Sequence, residues 1–145
     1  MISFNTEDFI LKETTREIVV PVTRDGGIHF SSTEKIIQAI PSLRGKITEA
    51  CSNGALSLND IVTVESDMGI KFHLLVTKYR SEAPENMQYI VTALNKLSVF
   101  SRHCNANFAI APLVSKEQTS NAVMQNIVKG LFQNHPADIV FYLGE

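Results

Sequence analysis

Short β-rich runs that alternate with longer segments of helical period predict an α/β domain. Two features anchor that class. The first is Lys71-Phe72-His73-Leu74-Leu75-Val76-Thr77-Lys78-Tyr79-Arg80, the most apolar strand-like run in the chain, which reads as a buried strand delivering an amine to the rim of a sheet. The second is the apolar stripe Met87, Ile90, Val91, Leu94, Leu97, Val99 and Phe100, which gives a long amphipathic helix whose stripe faces that sheet. At 145 residues the chain has the length of one domain, and residues 1–145 are read as a single unit.

The other elements follow in chain order. Ile18 to Val22 reads as a buried strand, and Thr23-Arg24-Asp25-Gly26-Gly27 as the turn leaving it. Ser31-x-x-Glu34 resembles a capping box, and Ile36, Ile37, Ile40, Leu43 and Ile47 carry an apolar stripe on to Ala50 and Cys51. Pro41 interrupts it, so two helical pieces are expected. Ile61 to Glu65 alternates as a strand, and Ser66-Asp67-Met68-Gly69 turns it into the Lys71 run as a hairpin. Pro84 marks a first helical turn, so the long helix is expected from Glu85 to about His103. Phe108 to Leu113 reads as a strand, Ser115 to Ser120 as a polar loop, Val123 to Phe132 as a helix, and Ile139 to Leu143 as a closing strand. No repeat, linker or low-complexity segment appears.

Composition narrows the function classes. A net charge of −2, with no dense Lys/Arg cluster, argues against a general nucleic-acid binder but leaves nucleotide-sized anions open. Cys51 and Cys104 sit in apolar helical patterns and read as buried free thiols in a reducing compartment, which points to a cytoplasmic location. The N-terminal residues are acidic where a signal peptide is basic, and no run approaches a membrane span. No histidine pair has metal-ligand spacing, and no Walker loop, nucleophile elbow or dinucleotide fingerprint occurs, so neither a metal nor another cofactor is expected. His73 falls on a strand face, while His103 and His135 end helices, where a cation complements the dipole.

Several tracts together carry a family resemblance. They are Ile2-Ser3-Phe4 followed by Asp8, Ala50-Cys51-x-x-Gly54-x-Leu56-x-x-x-Asp60-Ile61-Val62, Leu74-Leu75-Val76-Thr77-Lys78-Tyr79-Arg80, and Asp138-Ile139-Val140-Phe141-Tyr142. In this order they resemble a macro domain over nearly the whole chain. Thr77-Lys78-x-Arg80 is similar to the lysine-dependent branch, which includes the terminal ADP-ribose protein glycohydrolase and the antitoxins that remove ADP-ribose from DNA. The resemblance implies a three-layer α/β/α fold with a mixed central sheet and a ligand cleft at the strand ends carrying Val22, Lys78 and Leu113. It implies ADP-ribose or a related nucleotide as ligand, and an ADP-ribosylated protein or nucleic acid as partner. It also implies Lys78 as the nucleophile at the anomeric ribose carbon and Asp8 as acceptor for the adenine amino group.

The departures from the family pattern are as informative. Macro domains cradle the diphosphate with bare backbone N–H groups of two glycine-rich loops. The first loop here is Gly26-Gly27-Ile28-His29-Phe30-Ser31, in which only Gly26 and Gly27 keep the glycine character and His29 is open to contact a phosphate, to act as an acid or simply to be exposed. The second is Ser115-Lys116-Glu117-Gln118-Thr119, with Thr119 near the position of the family's assisting aspartate, so that carboxylate is missing unless Glu117 substitutes from a neighbouring turn. Glu7 replaces the glycine that usually precedes the adenine-reading aspartate.

Lys78 carries the chemistry. An amine attacks a ribose carbon only when unprotonated, and a free lysine near pKa ~10.4 is protonated at neutral pH. Partial burial and the cations Lys71 or Arg80 are expected to lower it, through desolvation and like-charge repulsion. The other role open to Lys78 is to stay charged and hold a diphosphate. Arg80 has the fork for bidentate phosphate contact, against the commoner fate of a solvated or glutamate-paired arginine. Tyr142 can stack on a base or serve as a packing residue of its strand. Two functions follow: recognition of ADP-ribose with removal of the modification through Lys78, or a catalytically inactive module that binds a protein or small ligand.

Overall fold

The structure is a computed structural model and describes residues 1–9, 17–104 and 107–143. Its elements in chain order are β1 (Ile2–Asn5), β2 (Glu17–Thr23), α1 (Ser31–Ala39), α2 (Ser42–Ser52), β3 (Ile61–Glu65), β4 (Lys71–Lys78), α3 (Met87–Arg102), β5 (Phe108–Ile110), α4 (Asn121–Leu131) and β6 (Ile139–Tyr142). The strands form one mixed sheet in the order β1-β6-β5-β2-β4-β3. All neighbours are parallel except β3, which pairs antiparallel with β4 as the expected hairpin.

Strand alternation divides the core into the two outer layers. Ile18, Val20, Val22, Phe72, Leu74 and Val76 pack with Ile36, Ile37, Leu43 and Ile47 of α1 and α2. Val19 and Leu75 face the other way, against Ile90, Ala93, Leu94 and Leu97 of α3 and Met124 and Val128 of α4. With both faces covered, the central strands are apolar along most of their length, His73 of β4 being a buried exception.

Several boundaries differ from the sequence expectation, each for a local reason. Phe30, which has no side-chain acceptor, occupies the N-cap of α1, and Ser31 is already helical rather than the N-cap residue expected from the sequence. Asn86 caps α3, its side chain accepting from Gln88 N–H and Tyr89 N–H, which moves the helix start past Pro84 to Met87. β5 stops at Ile110, although Ala111 N–H still donates to Val19 O at 2.9 Å, because Pro112 has no N–H to extend the ladder. Ile2–Asn5, not assigned as a strand from the sequence, becomes the sheet edge by pairing with β6. The break at Pro41 falls where expected, between α1 and α2.

Candidate functional site

Because β1, β2, β4, β5 and β6 run parallel, their carboxyl ends open on one edge of the sheet. The residues named from the sequence for the ligand cleft follow or close those strands. Asp8 follows β1, Gly26, Gly27 and His29 follow β2, and Lys78 ends β4 with Arg80 just beyond. Ser115 and Thr119 follow β5, and Tyr142 ends β6. This is the edge at which open α/β sheets bind ligands.

At the end of β4 the pairing slips by one residue, so that Val76 faces Val22 but Lys78 faces Thr23. Such an irregularity re-aims the side chain that follows it. Lys78 is 6% exposed, and among the described residues its amine has no hydrogen bond or ion pair. Burial pushes the ammonium below its ordinary value of 10.5, and the Glu85 carboxylate pulls it back up. The like-charge neighbours expected from the sequence are not the cause. Lys71 stands at the opposite end of the strand, about 23 Å away at ~3.3 Å per residue. Arg80 is exposed and lies 3.9 Å from Glu82, the glutamate-paired alternative.

Glu85 is the residue that sequence reasoning missed. Its Oε1 accepts the backbone N–H of Ser115 at 2.5 Å, while Oε2 is buried with no hydrogen-bond partner among the described residues. The carboxylate near Lys78 therefore comes from the segment before α3, not from the loop after β5. Glu117, the substitute acid expected there, is exposed. The signal available was only Pro84-Glu85-Asn86 ahead of a helix, which reads as an ordinary polar helix start.

In both candidate loops several backbone donors are bonded internally. In the first, Gly26 N–H donates to Thr23 O at 3.0 Å and Gly27 N–H to Thr23 Oγ1 at 2.8 Å, with Thr23 Oγ1 also bonded to Asp25. Gly26 has a φ of +82°, which a residue with a side chain adopts only under strain. Gly27 allows a close approach: a Cβ there would stand 2.1 Å from Ser81 Oγ. In the second loop, Gln118 N–H and Thr119 N–H both donate to Ser115 O, and Thr119 Oγ1 lies 3.2 Å from Met87 Sδ.

Two open clefts flank this arrangement. One, of about 430 Å³, is lined by Arg24, Asp25, Tyr79 and Arg80, with the Arg24 guanidinium 5.8 Å from the centre of the Tyr79 ring. The other, of about 460 Å³, lies along the start of α1 and includes His29, Glu34 and Lys35. Asp8 is exposed beside it, 4.0 Å from Lys35 Nζ. Tyr142 is a packing residue, buried with its ring edge-on to Phe9 at 4.8 Å.

His73, His135 and Cys104 lie elsewhere, whereas Cys51 Sγ is 3.7 Å from Arg24 O, against the first loop. His73 is buried between Thr63 Oγ1 at 2.8 Å and Glu17 Oε1 at 2.9 Å. His135 is buried rather than a solvated cation at a helix end: Nδ1 accepts from Ala137 N–H, and Nε2 is 2.7 Å from Ser101 Oγ. Burial lowers both histidines below their ordinary 6.5. Cys51 and Cys104 are free thiols, but half-buried rather than buried. Among the described residues no three His, Cys, Asp or Glu side chains gather to hold a metal ion, and no helix is long and apolar enough to cross a membrane.

No protein-family profile matches the sequence. No curated protein matches it either. Solved structures do match. The macrodomain of Thermus aquaticus DarG gives a TM-score of 0.83 at 14% identity, covering 100% of this chain and 99% of that one. The macrodomain of Mycobacterium tuberculosis DarG gives 0.77 at 22% identity over 98% and 97%. Thermosipho africanus DarTG in complex with ADP-ribose gives 0.68 at 15% identity, over 90% of this chain and 38% of that longer one. The chain has the macrodomain fold, the α/β/α architecture with a mixed sheet that the sequence resemblance implied.

Proposed function

We propose that this protein recognises ADP-ribose or a closely related nucleotide at the carboxyl edge of its sheet and removes ADP-ribose from a modified macromolecule through Lys78. The observation that carries the reading is a buried, unpartnered lysine at the end of β4, its amine displaced toward the neutral form by desolvation, on a macrodomain fold. The DarTG structure with ADP-ribose supports the ligand class by analogy of fold. Asp8, beside the cleft at the start of α1, is the candidate adenine acceptor.

In this mechanism the neutral Lys78 amine forms a C–N bond to the anomeric carbon. The glycosidic bond breaks, and its electron pair leaves with the macromolecule. The sugar ring then opens to an imine that water hydrolyses. Reduction with borohydride during turnover should trap ADP-ribose on the peptide that holds Thr77 to Arg80, and Lys78→Ala should abolish turnover. Full turnover by Lys78→Ala excludes this chemistry.

A second reading is supported by the loops. Their backbone N–H groups are already engaged at Gly26, Gly27, Gln118 and Thr119, so the cradle offers a diphosphate fewer open donors than a glycine-rich loop does. A catalytically inactive module for a protein or another small ligand fits that feature. Calorimetric titration with ADP-ribose separates the two, since the inactive-module reading expects no heat of binding.

A further inference from the structure

β3 closes one side of the sheet, with no strand beyond it among the described residues. Its ladder to β4 is regular and antiparallel, from Ile61 opposite Leu75 to Glu65 opposite Lys71. At the two ends of that ladder Ser66 N–H donates to Ile70 O at 2.9 Å and Val76 N–H donates to Asp60 O at 3.1 Å. Alternate residues of an antiparallel pair turn their N–H and C=O groups to the partner, so Val62 and Val64 share the phase of Asp60 and Ser66 and bond β4. The backbone groups of Ile61, Thr63 and Glu65 therefore point away from the sheet, and among the described residues nothing bonds them. Edges of this kind are usually blunted by a proline, a bulge or an inward charge. β3 has none of these and is β-branched up to its closing Glu65.

A second copy of the same edge is complementary to it. Antiparallel pairing centred on Thr63 sets Thr63 against its counterpart and Ile61 against Glu65, and each facing pair exchanges both N–H···O bonds. On the α2 side, half-buried Val62 meets half-buried Val64 of the other copy. An open cleft of about 300 Å³ there, lined by Ala50, Ala55 and Val64 with Lys46 and Glu49, leaves room for the incoming valine. On the α3 side, Glu65 comes opposite Ile61, beside which Asp60 holds Lys96 at 2.9 Å. Each carboxylate thus approaches a cation, while the two Glu65 side chains stand at opposite ends of the pair. A register slip that sets Glu65 against Glu65 puts like charges face to face. We infer that β3 is a self-association edge, through which two copies of this chain join antiparallel across a two-fold axis into one continuous sheet. The contact uses one patch twice, so it closes as a dimer. It runs along the side of the sheet, apart from the strand ends that carry Lys78, and the ligand edges of the two copies open in opposite directions.

Sedimentation equilibrium of the 145-residue chain, from micromolar to millimolar concentration, should show a mass that rises to twice 16.1 kDa and stops there. Over the same series the amides of Ile61, Thr63 and Glu65 should exchange more slowly as the dimer fills. Thr63→Pro removes both bonds of the central pair at an edge position where proline is tolerated, and should weaken the dimer by about tenfold or more. Thr63→Lys, which sets like charges opposite each other at the two-fold, should weaken it as well. Thr63→Val loses the bond to His73 as the other two do but keeps the edge backbone and the side-chain shape, so its dimer should persist. A monomer at every concentration overturns the inference, and so does a mass that keeps growing, which marks an open-ended contact. A dimer that Thr63→Pro and Thr63→Lys leave intact overturns it too. If those variants misfold, exchange in the wild type decides: unchanged rates at the three amides in the presence of a dimer place the interface elsewhere.

Discussion

Lys78 was legible in the sequence because a charged residue ending an apolar strand is conspicuous by position alone. Its environment was not. The neighbours named from the sequence, Lys71 and Arg80, are close in number but remote or solvated in space, whereas Glu85 reaches the site through a bond to Ser115, a residue 30 positions away. Desolvation holds the Lys78 amine below its ordinary 10.5 in the folded state, against the pull of Glu85. The unfolded chain therefore binds the proton more readily than the folded one. Stability is reduced below the folded value and recovers as pH rises through it toward 10.5. Lys78→Met, which retains length without charge, should raise the urea midpoint at pH 7. That advantage should shrink as denaturation is repeated at successively higher pH. A constant advantage would mean that packing, not charge, is responsible.

Among the elements, the strands were the most readable, since runs such as Ile18 to Val22 and Phe72 to Val76 are largely apolar on both faces and are bounded by turn residues. Helix starts were harder because several polar residues compete for each cap. Ser31 and Pro84 both carried sequence signals, yet Phe30 and Asn86 occupy the cap positions. The start of α3 bears on function as well as stability, since the adjoining Glu85 and Met87 contact Ser115 and Thr119 of the opposite loop. Asn86→Ala removes acceptors for two backbone N–H groups and should cost about 1 kcal/mol of stability. The same change should weaken ADP-ribose binding by freeing the Glu85 segment. Lost stability with unaltered affinity would show that the cap and the site are independent.

At the scale of the whole molecule, the parallel topology gathers residues from five separate strand ends onto one edge, a convergence that residue spacing could indicate only through resemblance to a known fold. The opposite consequence of the same packing is that two histidines are sealed away from that edge. His73 joins β3 and β2 through Thr63 and Glu17. His135 ties Ser98 and Ser101 of α3 to the turn before β6. Burial is the main cause that lowers both, outweighing Glu17 at His73 and the Ser98 carbonyl at His135. The Ala137 N–H bond requires His135 Nδ1 to be unprotonated, so a second proton would break it. A group whose folded value lies below its unfolded 6.5 takes up its proton first in the unfolded chain. Stability is therefore full above about 6.5 and falls as pH drops from there toward the folded values. Urea midpoints should decline between pH 7.5 and pH 5, before most carboxylates titrate. His135→Asn should lower the midpoint at pH 7.5 while flattening that decline. A variant as acid-sensitive as the wild type would place the proton uptake on some other group.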